Sequence, residues 1–354
     1  MKKLKLCVIL GGMSTEHEVS ITSGTSIIQN LDKEKYQINV IYIDKKGEWF
    51  EYIKPINEIK PISIGEKIEK DKLIVIENKI NFLKKFNVVF PILHGKYGED
   101  GTMQGLLELL NIKYVGCKVL SSSICMDKIY SKIIFEKANI PQAKYIYIKK
   151  IENIYKYIDD KFNEKDLDLS EIGKIIEEKL GFPVFVKPSN SGSSVGIKKA
   201  NNVNELQEAI EYASNYDDKI LIEEEIIGRE VECAVLGNKE VRATCIGEIN
   251  SAENFYTYDA KYKNNESKTI IPANISKEKE EEIKALAKKA FKAVDGKGLS
   301  RVDFFIRNSD NKVIINEINT MPGFTEISMY PKLWEKSGIK YSKLLDELIK
   351  LAIN

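Results

Sequence analysis

The sequence predicts a chain of mixed α/β and α+β class in three domains, the first built on a parallel sheet. Three patterns lead there. In the first third, short apolar runs alternate with stretches of helical spacing. In the middle, a loop of serine and glycine joins two short strands. Near the end, a capped helix leads into two strands joined by a polar turn.

Leu4–Leu10 reads as a buried first strand. The start of the chain mimics a signal peptide, but Cys7–Leu10 is well short of the roughly 7–15 apolar residues such a peptide needs. Val19–Leu31 has helical spacing, Tyr36–Ile43 and Asn87–Leu93 are apolar strands, and Gly105–Leu110 is a short helix. Apolar strands alternating with helices imply a parallel sheet covered on both faces. A second segment begins near Ser123. Its first helix, Met126–Ala138, ends at Asn139-Ile140-Pro141, and the charged residues 149–180 are expected to be mostly helical and peripheral. Strands Phe182–Lys187 and Gly196–Lys199 flank the serine-glycine loop. Helix Asn204–Ser214 and strand Lys219–Ile226 follow.

The last segment has strands Glu230–Leu236 and Glu240–Ile249, then an aperiodic polar stretch, Asn250–Lys268, of a length usual for functional loops. Ser276 caps helix Lys277–Val294. Strands Leu299–Arg307 and Lys312–Ile318 are joined by an Asn-Ser-Asp-Asn turn, and the end is helical. The domains are expected at residues 1–122, 123–226 and 227–354.

Among 354 residues, 54 basic and 53 acidic side chains leave a net charge of +1. Such balance argues against a dedicated binder of nucleic acid or of membrane surfaces. No run approaches the ~20 apolar residues of a membrane span. Five scattered cysteines without a CxxC pair read as reduced thiols of a cytoplasmic protein, and two histidines do not make a zinc site. Only four of the 54 basic residues are Arg, so each Arg is an unusual choice here.

One such choice is Arg301. Arg301-Val-Asp303 and Glu317-Ile-Asn319 each place two polar side chains on one face of a strand, and the two strands form a hairpin. Two carboxylates and an amide oxygen suit a hard cation such as Mg²⁺, and the neighbouring Arg suits a phosphate or an oxyanion. The same alternation also fits a solvated sheet face. The loop Lys187-Pro-Ser-Asn-Ser-Gly-Ser-Ser-Val-Gly196 follows a strand and leaves backbone N–H groups able to face phosphates, with Lys187 at the strand end. It is not a P-loop, and an ordinary hairpin turn would read the same way. Gly11-Gly-Met-Ser-Thr-Glu16 lies between a strand and a helix, where an anion or ligand site forms. Glu16 and His17 could equally serve as helix N-terminal caps. His94-Gly-Lys-Tyr-Gly-Glu-Asp-Gly101 closes another strand of that half-sheet, where ligands bind, although His94 could also be a satisfied structural histidine. The run Ile222-Glu-Glu-Glu-Ile-Ile-Gly-Arg-Glu230 could accept hydrogen bonds from an amine or from ribose hydroxyls, or be a charged sheet edge.

Taken in order, GGMSTEHEVS, LHGKYGEDGTMQG, the MDK at Met126–Lys128, VKPSNSGSSVG, YDAKY at Tyr258–Tyr262, RVDFF and NEINTMPGFTEISMYP resemble the D-alanine–D-alanine ligases. The resemblance covers nearly the whole chain and is weakest from about 150 to 180. It implies an ATP-grasp fold with nucleotide held between the central and C-terminal domains, and ATP and two Mg²⁺ ions (or Mn²⁺ in their place) as cofactors. Lys128 and Lys187 match lysines on the ATP phosphates, with Lys261 carried by the same lid loop as Tyr262. Glu223, Glu225 and Ile226 match positions at adenine, and Glu230 the acid on the ribose. Asp303, Glu317 and Asn319 match the magnesium ligands, Glu317 being shared by both ions.

On the substrate side, Glu16 matches the group holding the ammonium of the first D-alanine, with Ser193 and Tyr262 as its hydrogen-bonded partners and His94 nearby. Ser328 matches the residue at the carboxylate of the second D-alanine. Arg301 and the Gly323 N–H match the oxyanion site. The implied activity is synthesis of D-alanyl-D-alanine through a D-alanyl phosphate for peptidoglycan precursors, by a homodimer in the cytoplasm. D-Alanine–D-lactate and D-alanine–D-serine ligases share the fold. Lactate-forming relatives tend to carry Phe where Tyr262 stands, and serine-forming ones can carry Arg beside the Ser328 position, where this chain has Met329. Both residues favour D-alanine.

Overall fold

The computed structural model describes residues 3–53, 59–60, 62–66, 68, 72–250 and 268–354. Three sheets organise them. The first has strands β1 (Leu4–Gly11), β2 (Tyr36–Ile43), β3 (Trp49–Tyr52), β4 (Leu73–Val75), β5 (Val88–Pro91) and β6 (Lys113–Tyr114), in the order β4-β3-β2-β1-β5-β6. Its centre is parallel, as the apolar runs imply: β1 pairs with β2 and β5, and β5 with β6. An antiparallel edge, β2-β3-β4, extends it. Helices α1 (His17–Asn30), α2 (Lys79–Leu83), α3 (Thr102–Leu109) and α4 (Val119–Met126) accompany it. The boundary read at 122 falls inside α4.

The second sheet is antiparallel throughout. Helix α5 (Lys128–Lys137) precedes it. Its strands are β7 (Tyr145–Ile151), β8 (Ile154–Ile158), β9 (Glu164–Leu167), β10 (Val184–Pro188), β11 (Lys198–Ala200) and β12 (Lys219–Glu224), ordered β11-β10-β12-β7-β8-β9. Residues 149–180 are therefore not mostly helical. They form the end of β7, the strands β8 and β9 that finish one side of the sheet, and one helix, α6 (Leu169–Lys179). Strands at and next to a sheet edge need few buried positions, here Tyr155, Ile158 and Leu167, so charge elsewhere is tolerated and hides the strand period. Only α6 announces itself, through a capping box between Asp168 and Glu171. Together with α7 (Val203–Ala213), α6 packs Ile172, Ile176, Leu206 and Ile210 onto Val184, Val186 and Ile222.

The third sheet has β13 (Gly228–Leu236), β14 (Arg242–Asn250), β15 (Lys268–Ile270), β16 (Leu299–Arg307) and β17 (Val313–Asn319), ordered β15-β14-β13-β16-β17 and antiparallel. Helix α8 (Lys277–Ala293) covers one face with Ile283, Ala287 and Phe291; the Ser276 side chain accepts from Lys279 N–H, a cap worth about 1 kcal/mol. Helices α9 (Met329–Lys336) and α10 (Tyr341–Ile353) follow. Tyr330, Trp334, Leu344 and Leu348 share one core with Leu6, Val8 and Phe90 of the first sheet. This common core brings the carboxyl ends of β1 and β5 against the segment after β17. No helix among the described residues is long and apolar enough to cross a membrane.

Candidate active site

The ends of the three sheets meet around a cavity of about 250 Å³, whose lining includes Glu16, His94, Glu99, Arg301, Gly323 and Ser328. A second cavity, of about 170 Å³, lies between the second and third sheets and is lined by Lys187, Glu223, Glu225 and Ile226. The two share Lys128, Ser191, Ser193, Glu230 and Glu317.

Glu16 stands at the start of α1 but makes no capping hydrogen bond there. Its Oε1 instead accepts from Ser193 Oγ at 2.5 Å, across from the second sheet. The carboxylate is pressed between two glycines: a β-carbon would come within 2.5 Å of its Oε2 at Gly95 and within 2.6 Å at Gly192. Gly95 has φ +69°, and Ser193 and Ser194 adopt left-handed backbone as well, φ +49° and +61°. Such strain outside glycine clusters at binding sites. His17 is the structural member of this motif: its Nδ1 lies 2.5 Å from Gly12 O.

His94 is buried and satisfied on both nitrogens. Nδ1 donates to Met321 O at 3.0 Å, and Nε2 accepts from Ser23 Oγ at 3.1 Å, while Ser23 Oγ accepts from Phe324 N–H. Burial pushes its pKa down to about 4, so the ring is neutral. His94 thus lines the cavity and also ties the first sheet to the segment after β17. Glu99 is half-buried in the cavity wall. Its carboxylate accepts from Gly95 N–H at 2.7 Å and Met321 N–H at 3.1 Å, yet burial, with Glu16 and Glu317 near, pushes its pKa up to about 8.

The hairpin β16–β17 places Arg301 opposite Asn319 and Asp303 opposite Glu317, as the paired i, i+2 spacing predicts. Arg301 forks onto Asp303 with two bonds of 2.7 Å, and its Nε stands 3.0 Å from Glu232 Oε2. Burial opposes the charged guanidinium, but Asp303 and Glu232 hold its pKa well above the usual value. Asn319 Nδ2 donates to Asp303 at 3.0 Å. Among the described residues no group of three or more His, Cys, Asp or Glu stands ready for a metal; the hairpin offers two carboxylates and an amide.

In the second cavity, Lys128 Nζ donates to Ser191 O. Lys187 Nζ donates to Glu223 Oε2 at 2.9 Å, and Lys132 Nζ is 3.1 Å from Glu223 Oε1. Glu223 lies on β12, between β10 and β7, so it is not at a sheet edge. Its burial opposes ionisation, but Lys132 and Lys187 prevail and its pKa is pushed down to about 2. Glu225 pairs with Lys199 nearer the surface, at 2.7 Å. Thr325 N–H and Ser328 Oγ are joined at 3.0 Å beside Gly323. Lys261 and Tyr262 lie outside the described residues, as does nearly all of the 250–268 loop. Sequence reading missed Glu99, Lys132 and Glu232. Glu232 had a signal, standing two residues from Glu230 on one strand face; the others are placed by tertiary packing.

A family model described as D-ala D-ala ligase N-terminus matches residues 5–117, and one described as D-ala D-ala ligase C-terminus matches residues 134–350. A D-alanine–D-alanine ligase of Acetivibrio thermocellus is 50% identical, covering 99% of this chain and 96% of its own. The solved D-alanine–D-alanine ligase from Coxiella burnetii superposes with a TM-score of 0.85 at 36% identity, over 100% of this chain and 94% of that one. The VanG D-Ala:D-Ser ligase from Enterococcus faecalis does so with a TM-score of 0.85 at 37% identity, over 99% and 100%.

Proposed function

The chain belongs to the D-alanine–D-alanine ligase family and has its ATP-grasp fold, and on that premise we propose that it joins two D-alanines with ATP and Mg²⁺, releasing ADP and phosphate. One observation carries the reading. An acid suited to an ammonium, an arginine suited to an oxyanion, and lysines suited to phosphates line two cavities that share five residues.

A carboxylate acylates an amine poorly, so it is first made into an acyl phosphate. An oxygen of the first D-alanine's carboxylate forms a bond to the γ-phosphorus, and the bond to the ADP oxygen breaks. Glu16, oriented by Ser193, holds the ammonium of that D-alanine. Lys128 and Lys187 neutralise the phosphates, and Glu223, Glu225, Ile226 and Glu230 hold the adenosine. The amine of the second D-alanine then attacks the acyl carbon, and the C–O bond to phosphate breaks. Arg301 and the Gly323 N–H stabilise the tetrahedral oxyanion, and Ser328 meets the second carboxylate.

The donor set fits magnesium, since Asp303, Glu317 and Asn319 offer hard oxygens, and the cavity lining holds more carboxylates than cations. Bound there, Mg²⁺ supplies charge neutralisation for the phosphoryl transfer. Arg301 forking onto Asp303 keeps that carboxylate in place.

The same proposal assigns 1–122 to the first D-alanine, 123–226 and 227–354 to the two halves of the nucleotide grip, and a homodimer in the cytoplasm. Likeness to the VanG D-Ala:D-Ser ligase supports a second reading, with D-serine as the second substrate; buried Met329 beside Ser328 weighs against it. ADP release by the purified protein, followed with and without D-alanine, tests the proposal. D-alanine should stimulate it strongly, and no stimulation would refute the proposal.

A further inference from the structure

We infer that Lys132 is a positioning residue of the nucleotide site: it holds the Glu223 carboxylate so that Lys187 is released to bind phosphate. The inference rests on the reading of Lys187 as a phosphate ligand. The geometry is asymmetric. Glu223 Oε2 takes Lys187 Nζ at 2.9 Å and Oε1 takes Lys132 Nζ at 3.1 Å. Lys187 and Glu223 line the cavity between the second and third sheets, and Lys132 does not. Lys132 comes from α5, which packs on the cavity face of the sheet through Ile129 against Tyr147 and Leu221, and its side chain is only 3% exposed. One carboxylate therefore has two cations, one lining the cavity and one buried beside it.

A buried carboxylate needs a counter-ion at all times. With two, the cluster carries one surplus positive charge, and a polyphosphate entering the cavity can draw Lys187 away and leave a neutral Lys132–Glu223 pair. Without Lys132, Lys187 would be the counter-ion of Glu223, and phosphate would have to compete with it. Lys132 also stands 5.3 Å from the centre of the Tyr145 ring. A purely packing role of that kind would affect every ligand of the cavity alike.

The test compares affinities for ATP and for adenosine, which carries no phosphate, by calorimetry and by competition. K132M should weaken ATP binding about tenfold or more and adenosine binding by less than roughly threefold. K132M/E223Q should return ATP affinity to that of E223Q, because the neutral amide no longer holds Lys187. Equal losses for the two ligands, unchanged ATP binding in K132M, or no recovery in the double variant would each overturn the inference. Should K132M alone fail to fold, the comparison of E223Q with K132M/E223Q remains: equal ATP affinity supports the inference, and a further tenfold loss overturns it. K187A separates the two layers. If it binds ATP as tightly as the unmodified protein, the phosphate reading of Lys187 fails. If it binds weakly while K132M is normal, only the role of Lys132 fails.

Discussion

Replacing His94 by glutamine isolates the energetic effect of a ring that must stay neutral. The ring is locked between Met321 O and Ser23 Oγ, and its burial lowers the pKa from the ordinary 6.5 to about 4. That difference of roughly 2.5, at about 1.36 kcal/mol for each, is worth about 3 kcal/mol. Between these two values the unfolded chain binds a proton that the folded chain refuses. Stability from this site is therefore complete above 6.5 and declines as the pH falls toward 4. Glu99 acts with the opposite sign. Its pKa rises from 4.5 to about 8, so the folded chain keeps a proton that the unfolded one releases, and its contribution declines as the pH rises through that range. The two slopes oppose each other in the overlap, and the unmodified protein alone would not resolve them. The difference between it and His94→Gln cancels Glu99. Urea unfolding of both proteins from about pH 7.5 down to about pH 4 should show their stability gap narrowing by about 3 kcal/mol. A gap that stays constant across that range would refute the neutral, doubly bonded His94.

Three further outcomes are expected. Gly192→Ala puts a β-carbon 2.6 Å from Glu16 Oε2, so Glu16 must turn aside; KM for D-alanine should rise while KM for ATP stays level, as steady-state kinetics would show, and equal KM values in variant and parent would count against the Glu16 assignment. Glu317→Gln removes one charge from the proposed metal set, and turnover should fall by orders of magnitude with an unchanged circular dichroism spectrum. Near-normal turnover at low Mg²⁺ would sink that role. Burial pushes the thiols of Cys7, Cys117 and Cys233 up, so mass spectrometry after iodoacetamide treatment of the native protein near neutral pH should find these three unlabelled, and rapid labelling would contradict their burial.

What could be read from sequence follows from how locally each feature is encoded. The β16–β17 hairpin was legible because Arg301/Asp303 and Glu317/Asn319 share the strand period and flank a turn that Asn and Asp favour. Helix α8 was legible through its cap and its apolar period. Strands β8 and β9 were not, because an edge meander buries few side chains and its Lys, Asp and Glu mimic a solvated helix. The site itself divides in the same way. Glu16 and Lys187 sit at strand ends in glycine-rich or serine-rich loops, which announce themselves. That Glu16 would meet Ser193, or that His94 would bond to Met321, depends on sheets remote in sequence closing on one another. Lys132 has no local signature: it is one of many lysines on a helix and differs only in what lies opposite it.

The most direct measurement offers D-alanine together with D-serine or D-lactate, ATP and Mg²⁺, and identifies the products by mass spectrometry. D-Alanyl-D-alanine should be the dominant product in every mixture, formed one for one with ADP. Dominant D-alanyl-D-serine or D-alanyl-D-lactate, or ADP formed without any dipeptide, would contradict the proposed activity.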